Sequence, residues 1–281
     1  MTIEPKSGGQ MPDPFDVPAG IAAEIEAGAL FALSHSGGKD SQAMTILLRR
    51  LVPPDQLLVV HAPLGRLEWP GTLAHIRRTT EGLPLVLAHA RTAPLDAVRR
   101  RGMWPSPKLR WCTSDWKRSP IERELRRYLK AHPRLGGRIV SCLGLRADEG
   151  RDRAKRPALS FSARNSKAGR HWLDWLPIHG FTEAQVFETI RAAGQRPHWV
   201  YRAGMSRCSC SFCIMATDAD LRRAAALRPE LAAAYVALEA EIGHAFRTDG
   251  TCLADILAHR ETGRAPSSTF DIAANPRQNE G

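Results

Sequence analysis

The 281-residue sequence contains no long hydrophobic run, and its first residues have neither the basic start nor the apolar core of a signal peptide. A transmembrane helix needs about twenty mostly apolar residues, so we expect none and no membrane partner. We therefore expect a cytoplasmic protein. In that reducing compartment the six cysteines are expected to be thiols or metal ligands rather than disulfides.

The sequence also has fewer acidic than basic residues. The chain has 29 Asp and Glu against 40 Lys and Arg, which gives a formal net charge of +11. The excess lies largely between residues 91 and 170, where it would attract phosphate groups. A nucleic acid such as tRNA or DNA is accordingly an expected partner. The alternative is a solvated, arginine-rich surface around a pocket that holds a triphosphate.

Four regions differ in composition. Residues 1–20 are rich in Pro and Gly and are predicted to form a flexible arm, and the polar residues 263–281 are predicted to be disordered. Residues 21–178 alternate short apolar runs with helical patterns, which predicts an α/β fold with a doubly wound parallel sheet. Residues 179–262 are predicted to be a helical region with a cysteine cluster. We predict strands at 29–33, 57–61, 83–88 and 139–145, a loop at 161–171, and helix starts at the capping boxes 119–122 and 182–185.

The most informative segment is residues 36–41, with the sequence SGGKDS, which joins an apolar, strand-like run to a helical pattern. Its two glycines let the backbone turn N–H groups toward an anion, and the following helix adds its positive dipole end. Its serines and Lys39 can donate to phosphate oxygens, while Asp40 can hold Mg²⁺ or cap the helix. A Walker A loop is excluded, because that motif needs glycine where Leu33 stands. The alternative is a Ser/Gly-rich turn with a helix cap.

SGGKDS is the signature of the PP-loop ATP pyrophosphatases, and its setting most resembles their phosphoadenosine phosphosulfate (PAPS) reductase branch. Further segments resemble that branch in the order in which it uses them, so that the resemblance covers residues 29–216. Two departures are Pro63, where an acidic residue is usual, and Gly150, which replaces a serine. The resembling segments are 59–65 with 68–72, then 110–113 with Lys117 and Pro120, then 144–149 with Arg153, and finally 207–214.

The resemblance implies a Rossmann-like fold of the adenine nucleotide alpha hydrolase type with a helical C-terminal region. It implies ATP with Mg²⁺ as ligand and cleavage between the α and β phosphates, which adenylylates a substrate for sulfur transfer. His61 also stands at the end of a predicted strand, where doubly wound sheets bind ligands. The implied catalytic residues are Lys39, Asp40 and Arg146, and the implied nucleotide-binding residues are Ser34, Ser36, Gly37, Gly38, Lys39, Asp40, Ser41, His61, Gly144 and Arg146.

A cysteine cluster is a second candidate site. Cys208, Cys210 and Cys213 fall within six residues, and a Cys-x-x-Cys pair is a recurrent half-site for metals. Cys112 is the expected fourth ligand, because its segment is expected to border the same cleft. An iron-sulfur cluster of the 4Fe-4S type, a zinc ion and free redox thiols all remain open.

Two further expectations concern thiol environments. Arg110 and Arg207 adjoin cysteines of the cluster, and their charges are expected to lower the pKa values of those thiols. Cys142 lies in an apolar run and is expected to be a small buried core residue.

Three functions are open. An adenylating sulfurtransferase is favoured by the cysteine cluster and the basic charge. A sulfonucleotide (PAPS or APS) reductase is disfavoured, because the sequence lacks the C-terminal Glu-Cys-Gly-type motif and ends in PRQNEG. A non-catalytic nucleotide-binding or nucleic-acid-binding module is disfavoured by the intact Lys39, Asp40 and Ser41. The sequence also leaves a homodimer open.

Overall fold

The computed structural model describes residues 17–259. Two predictions lie outside this range: the disorder of residues 263–281 and most of the flexible arm at residues 1–20. No helix within it is long and apolar enough to cross a membrane. The helices are α1 Ala19–Glu26, α2 Lys39–Leu51, α3 Thr72–Thr79, α4 Pro94–Arg101, α5 Trp111–Thr113, α6 Ser119–Ala131, α7 Arg151–Ala154, α8 Glu183–Ala192, α9 Trp199–Arg202, α10 Asp218–Leu227, α11 Pro229–Ile242 and α12 Leu253–Ala258.

A six-stranded sheet forms the centre, and its strands are β1 Leu30–Ser34, β2 Leu57–His61, β3 Leu85–Leu87, β4 Arg138–Leu143, β5 Leu159–Phe161 and β6 His171–Trp175. Their order across the sheet is β3-β2-β1-β4-β6-β5. All neighbouring strands are parallel except β5, which pairs with β6 in the antiparallel sense. The fold is therefore an α/β, Rossmann-like fold with a mostly parallel sheet, as predicted.

Both faces of the sheet are buried. On β1, Phe31 and Leu33 point into an apolar cluster that includes residues of α1, α2 and α8. Their neighbours Leu30 and Ala32 point to the other face, where they join a cluster containing residues of α6. This burial on both faces explains why β1 is continuously apolar instead of alternating with polar residues. A third cluster lies outside the sheet and combines α10–α12 with four buried tryptophans of earlier segments, Trp69, Trp104, Trp111 and Trp116.

The predicted strands lie where β1 to β4 are found, and the strand predicted at 57–61 is β2 itself. The loop predicted at 161–171 is shorter than expected, because Phe161 ends β5 and His171 begins β6. Neither strand was predicted. β6 mixes two buried tryptophans with polar residues in the sequence HWLDW, so it carries no clear apolar run.

One predicted capping box is present and the other is absent. Thr182 caps α8 by accepting a hydrogen bond from the N–H of Gln185, as predicted. The box predicted at Ser119 is wrong, because a helical run beginning at Trp111 continues through a π-helical stretch, Ser114–Arg118, into α6. Trp111 and Trp116 bury their rings edge-to-face at 5.2 Å, and this packing extends the helix beyond its local start signal.

Candidate nucleotide-binding site and cysteine cluster

The loop between β1 and α2, residues 36–41, is hereafter the PP-loop. Its Gly37 has a φ of 81°, and a Cβ there would lie 2.8 Å from Cγ2 of Thr72. Both the left-handed backbone and this close approach require glycine. Gly38 has an extended backbone, but a Cβ there would lie 3.4 Å from both the Tyr201 hydroxyl and the Cys208 carbonyl oxygen. The PP-loop is thus closely covered on two sides.

The PP-loop presents unpaired backbone donors at the start of α2. The N–H groups of Gly38, Asp40 and Ser41 have no acceptor among residues 17–259. The hydroxyl of Ser41 donates to the Gly38 carbonyl at 2.9 Å and lies 3.2 Å from the N–H of Ser36, which donates to it. Free amides at a helix N-terminus form an anion-binding arrangement. Ser34 lies just before the PP-loop, at the end of β1.

Lys39 is buried at the first position of α2, with 5% of its surface exposed. Its Nζ lies 3.3 Å from Oδ2 of Asp40 and 3.2 Å from Oε1 of Glu183, the first residue of α8. The same ammonium lies over the ring of Tyr201, 5.5 Å from its centroid. Sequence reasoning missed Glu183 and Tyr201, because both belong to distant helices that only the fold brings to the PP-loop.

Arg146 follows β4 and joins the predicted catalytic residues. Its Nε donates to Oδ1 of Asp40 at 2.6 Å, its Nη1 donates to Asp148, and its own N–H donates to Oε2 of Glu149 at 2.9 Å. Although burial opposes this effect, the two aspartates raise the pKa of Arg146. Gly144 permits the close approach, because a Cβ there would lie 3.0 Å from the backbone of Asp40 and Ser41. The structure therefore brings Lys39, Asp40 and Arg146 together.

Buried histidines lie behind the PP-loop. His35 accepts the N–H of Gly37 at Nδ1, 3.1 Å away, and burial lowers its pKa to about 3. His75 and His198 pack edge-to-face at 5.1 Å, and burial lowers the pKa of each to about 4. His61 Nδ1 lies 2.8 Å from the carbonyl oxygen of His35. Its Nε2 lies 3.1 Å from Oε1 of Glu68, without hydrogen-bond geometry.

The four predicted cysteine ligands share one environment. Cys112 lies on α5, and the other three lie on the cysteine loop, residues 207–213, between α9 and α10. All four pack against the third apolar cluster. The half-buried Lys117 lies among them, and its pKa is raised by Cys210, Cys213 and Cys112.

Burial dominates the chemistry of these thiols. It raises the pKa of Cys112, that of Cys208 to about 12 and that of Cys210 to about 11. The predicted lowering by neighbouring arginines is therefore wrong, because desolvation of the thiolate outweighs the attraction of the cations. Cys142 is fully buried in the sheet, as predicted. Four thiols suit a soft metal chemically, but no three His, Cys, Asp or Glu side chains of the described residues are arranged as a metal site.

The SGGKDS turn at the carboxyl edge of a mostly parallel sheet defines a PP-loop protein. The sequence model described as the phosphoadenosine phosphosulfate reductase domain matches residues 31–216. This is more than half of the chain, and the chain belongs to that family.

Relatives in the same comparisons are distant. An uncharacterized protein of Methanocaldococcus jannaschii is 27% identical over 199 residues, which are 70% of this chain and 44% of that protein. An uncharacterized 37.8 kDa protein of Escherichia phage 186 is 30% identical over 136 residues, 48% of this chain and 39% of that protein. The chain thus spans less than half the length of these curated relatives.

The solved structures that match this chain are also distant from it in sequence. A PAPS reductase from Candida auris has a TM-score of 0.42 at 12% identity, covering 66% of this chain and 87% of that one. An FMN adenylyltransferase from Candida glabrata has a TM-score of 0.41 at 11% identity, covering 67% of this chain and 54% of that one. Both scores are low, and the fold class rests on the strand order of the chain itself.

Proposed function

We propose that this protein binds ATP with Mg²⁺ at the PP-loop and cleaves it between the α and β phosphates, adenylylating a substrate for sulfur transfer. The observation that carries this proposal is the set of N–H groups at Gly38, Asp40 and Ser41, which lack an acceptor in the described part of the chain and lie beside the buried ammonium of Lys39. Such donors suit an anion that carries several charges, as a pyrophosphate group does. Family membership supports the same ligand class.

Each residue of the site has a proposed role that follows from its position. The PP-loop amides, Ser36 and Lys39 hold the leaving pyrophosphate, which stabilises the charge that develops on it. Arg146 holds Asp40 in place through the 2.6 Å contact. Bound Mg²⁺ neutralises phosphate charge, and Asp40 is the carboxylate closest to the PP-loop amides that could hold it. Ser34, His61 and Gly144 complete the proposed nucleotide-binding set.

The chemistry needs no protein nucleophile in its first step. An oxygen of the substrate attacks the α-phosphorus, the bond to the bridging oxygen of the β-phosphate breaks, and pyrophosphate leaves with the electron pair. A sulfur nucleophile then attacks the substrate carbon that bears the adenylylated oxygen, and AMP leaves. Positioning and electrostatics supply the rate enhancement of the first step.

The cysteine cluster is the proposed source of sulfur chemistry. Cys112, Cys208, Cys210 and Cys213 would hold zinc or an iron-sulfur cluster, and their common environment around Lys117 supports a shared role. A nucleic-acid substrate is supported by cations that flank Cys112 in the sequence. Lys108, Arg110 and Arg118 have no carboxylate partner within residues 17–259, and Arg110 acts on the charge of Cys112. A homodimer also stays a prediction.

We assign the nucleotide-binding unit to residues 21–178 and the helical region with the cysteine cluster to residues 179–262. Lys39 contacts both Glu183 and Tyr201, and these contacts support a site that both regions form. ATP cleavage at the PP-loop therefore occurs beside residues of both regions.

Product analysis tests the reaction. ATP labelled in the α-phosphate is incubated with Mg²⁺ and tRNA or DNA as candidate acceptor, and products are separated by chromatography. Cleavage between the α and β phosphates gives AMP or adenylylated acceptor together with pyrophosphate. ADP and phosphate as the main products would contradict the proposal.

The second candidate is a sulfonucleotide reductase, favoured by the family match over residues 31–216. A reductase would convert PAPS or APS and two thiols into sulfite, the corresponding nucleotide and a disulfide, without consuming ATP. Sulfite release from either substrate in the absence of ATP would favour this candidate.

A further inference from the structure

The hydroxyl of Tyr201 connects the PP-loop to the cysteine loop. Tyr201 lies on α9, and its oxygen accepts the N–H of Lys39 at 3.1 Å and the N–H of Cys208 at 3.3 Å. Lys39 begins α2 and is part of the PP-loop, while Cys208 is a proposed metal or sulfur ligand. A single phenol oxygen therefore touches the backbone of both candidate sites.

The space around this connection is filled. A Cβ on Gly38 would lie 3.4 Å from the Tyr201 hydroxyl, 3.4 Å from the Cys208 carbonyl oxygen and 3.6 Å from the Cys208 side chain. The Lys39 ammonium lies over the Tyr201 ring, 5.5 Å from its centroid. Because closely packed groups cannot shift independently, a displacement of the PP-loop is transmitted to the cysteine loop.

Tyr201 also has an unused donor. Both of its hydrogen bonds use the oxygen as acceptor, and its O–H proton has no acceptor among the residues that the structure describes. A phenol keeps its proton at neutral pH, so this donor is available. A phosphate oxygen beside the Lys39 amide would be a strong acceptor for it, because hydrogen bonds to ionised groups are the stronger ones.

We propose that Tyr201 is a positioning residue that couples phosphate occupancy of the PP-loop to the order of the cysteine loop. The inference rests on the proposed function. When a nucleotide binds, the Tyr201 hydroxyl donates to a phosphate oxygen and keeps the N–H of Cys208, so that the cysteine loop is held against the filled site. Coupling between sites is reciprocal, so an ordered cysteine loop also strengthens nucleotide binding.

Hydrogen exchange of the full chain tests the coupling. Backbone exchange of peptides covering residues 205–213 is measured by mass spectrometry with and without saturating Mg-ATP, and calorimetry on the same samples measures ATP binding. The variants are Tyr201→Phe and the matched control Tyr128→Phe, whose ring stacks on His132 in the α6 region. Thermal melts check that both variants fold.

In the wild type and in Tyr128→Phe, ATP is expected to slow exchange in this segment by about fivefold or more. In Tyr201→Phe, the segment is expected not to respond to saturating ATP, and ATP affinity is expected to fall about tenfold. A wild-type response retained in Tyr201→Phe would overturn the inference. The inference would also be overturned if ATP bound to the wild type without slowing exchange in residues 205–213. That result does not depend on whether the variant folds. A wild type that binds no ATP would instead overturn the proposed function, and this inference with it.

Discussion

Acid should destabilise this protein well before its carboxylates are protonated, because neutral histidines are buried behind the PP-loop. His35, His75 and His198 have 2%, 3% and 0% of their surfaces exposed. Burial lowers the pKa from 6.5 to about 3 for His35 and to about 4 for the other two. Positive neighbours act in the same direction, since Arg78 disfavours a charge on both His75 and His198.

The sign follows from proton binding. Between the folded pKa values and 6.5, the unfolded chain binds protons that the folded chain does not, so the free energy of unfolding decreases as pH falls through this window. Between pH 7 and pH 5, each of the three histidines costs about 2 kcal/mol, or about 6 kcal/mol together. That loss is comparable with the whole stability of many domains.

Urea unfolding at pH 7, 6 and 5 measures this effect. His75→Gln is expected to lose about a third less stability than the wild type over this range, because one of the three buried titrating groups is gone. His89→Gln is the control, because His89 is exposed, and it should follow the wild type. A free energy of unfolding that is unchanged between pH 7 and pH 5 would refute the reasoning, as would equal losses in His75→Gln and the wild type.

Two further predictions concern the loop and the thiols. Gly37→Ala should weaken ATP binding about tenfold or more, because the φ of Gly37 is positive and the new Cβ would contact Thr72. Gly38→Ala should weaken ATP binding less. If calorimetry gave the reverse order, the assigned loop geometry would be contradicted. Anaerobically purified protein should contain either about one zinc or about four irons with sulfide per chain. Cys210→Ala should lose that metal, while Cys142→Ala should keep it. A wild-type protein purified without metal would contradict the metal site and show that the four cysteines are free thiols.

The PP-loop could be predicted because its requirements are local. A strand, two glycines and a helix start follow one another within the segment that contains Gly37 and Lys39. The backbone conformations that this turn requires are therefore indicated by neighbouring residues of the sequence. The loops after β2 and β4 could be placed nearby, since the carboxyl ends of parallel strands meet at one edge of the sheet. Arg146 and Asp40 come together for this reason.

Contacts made by the helical region could not be predicted in this way. Tyr201 lies 162 positions after Lys39, and a tyrosine on a short helix carries no local sign of the backbone groups it will meet. Glu183 was visible only as part of a capping segment, whereas its carboxylate pairs with the PP-loop lysine. The thiol pKa values were mispredicted because neighbouring charge can be read from a sequence, while burial depends on packing.

The most direct test of the central claim is the affinity of Mg-ATP for the full chain, measured by titration calorimetry. Lys39→Ala removes the buried ammonium at the PP-loop, and Lys130→Ala removes an exposed one from α6 as the matched control. We predict that the wild type and Lys130→Ala bind ATP with equal affinity, and that Lys39→Ala binds it at least about tenfold more weakly. Equal affinities in all three proteins, or no binding by the wild type, would contradict the account.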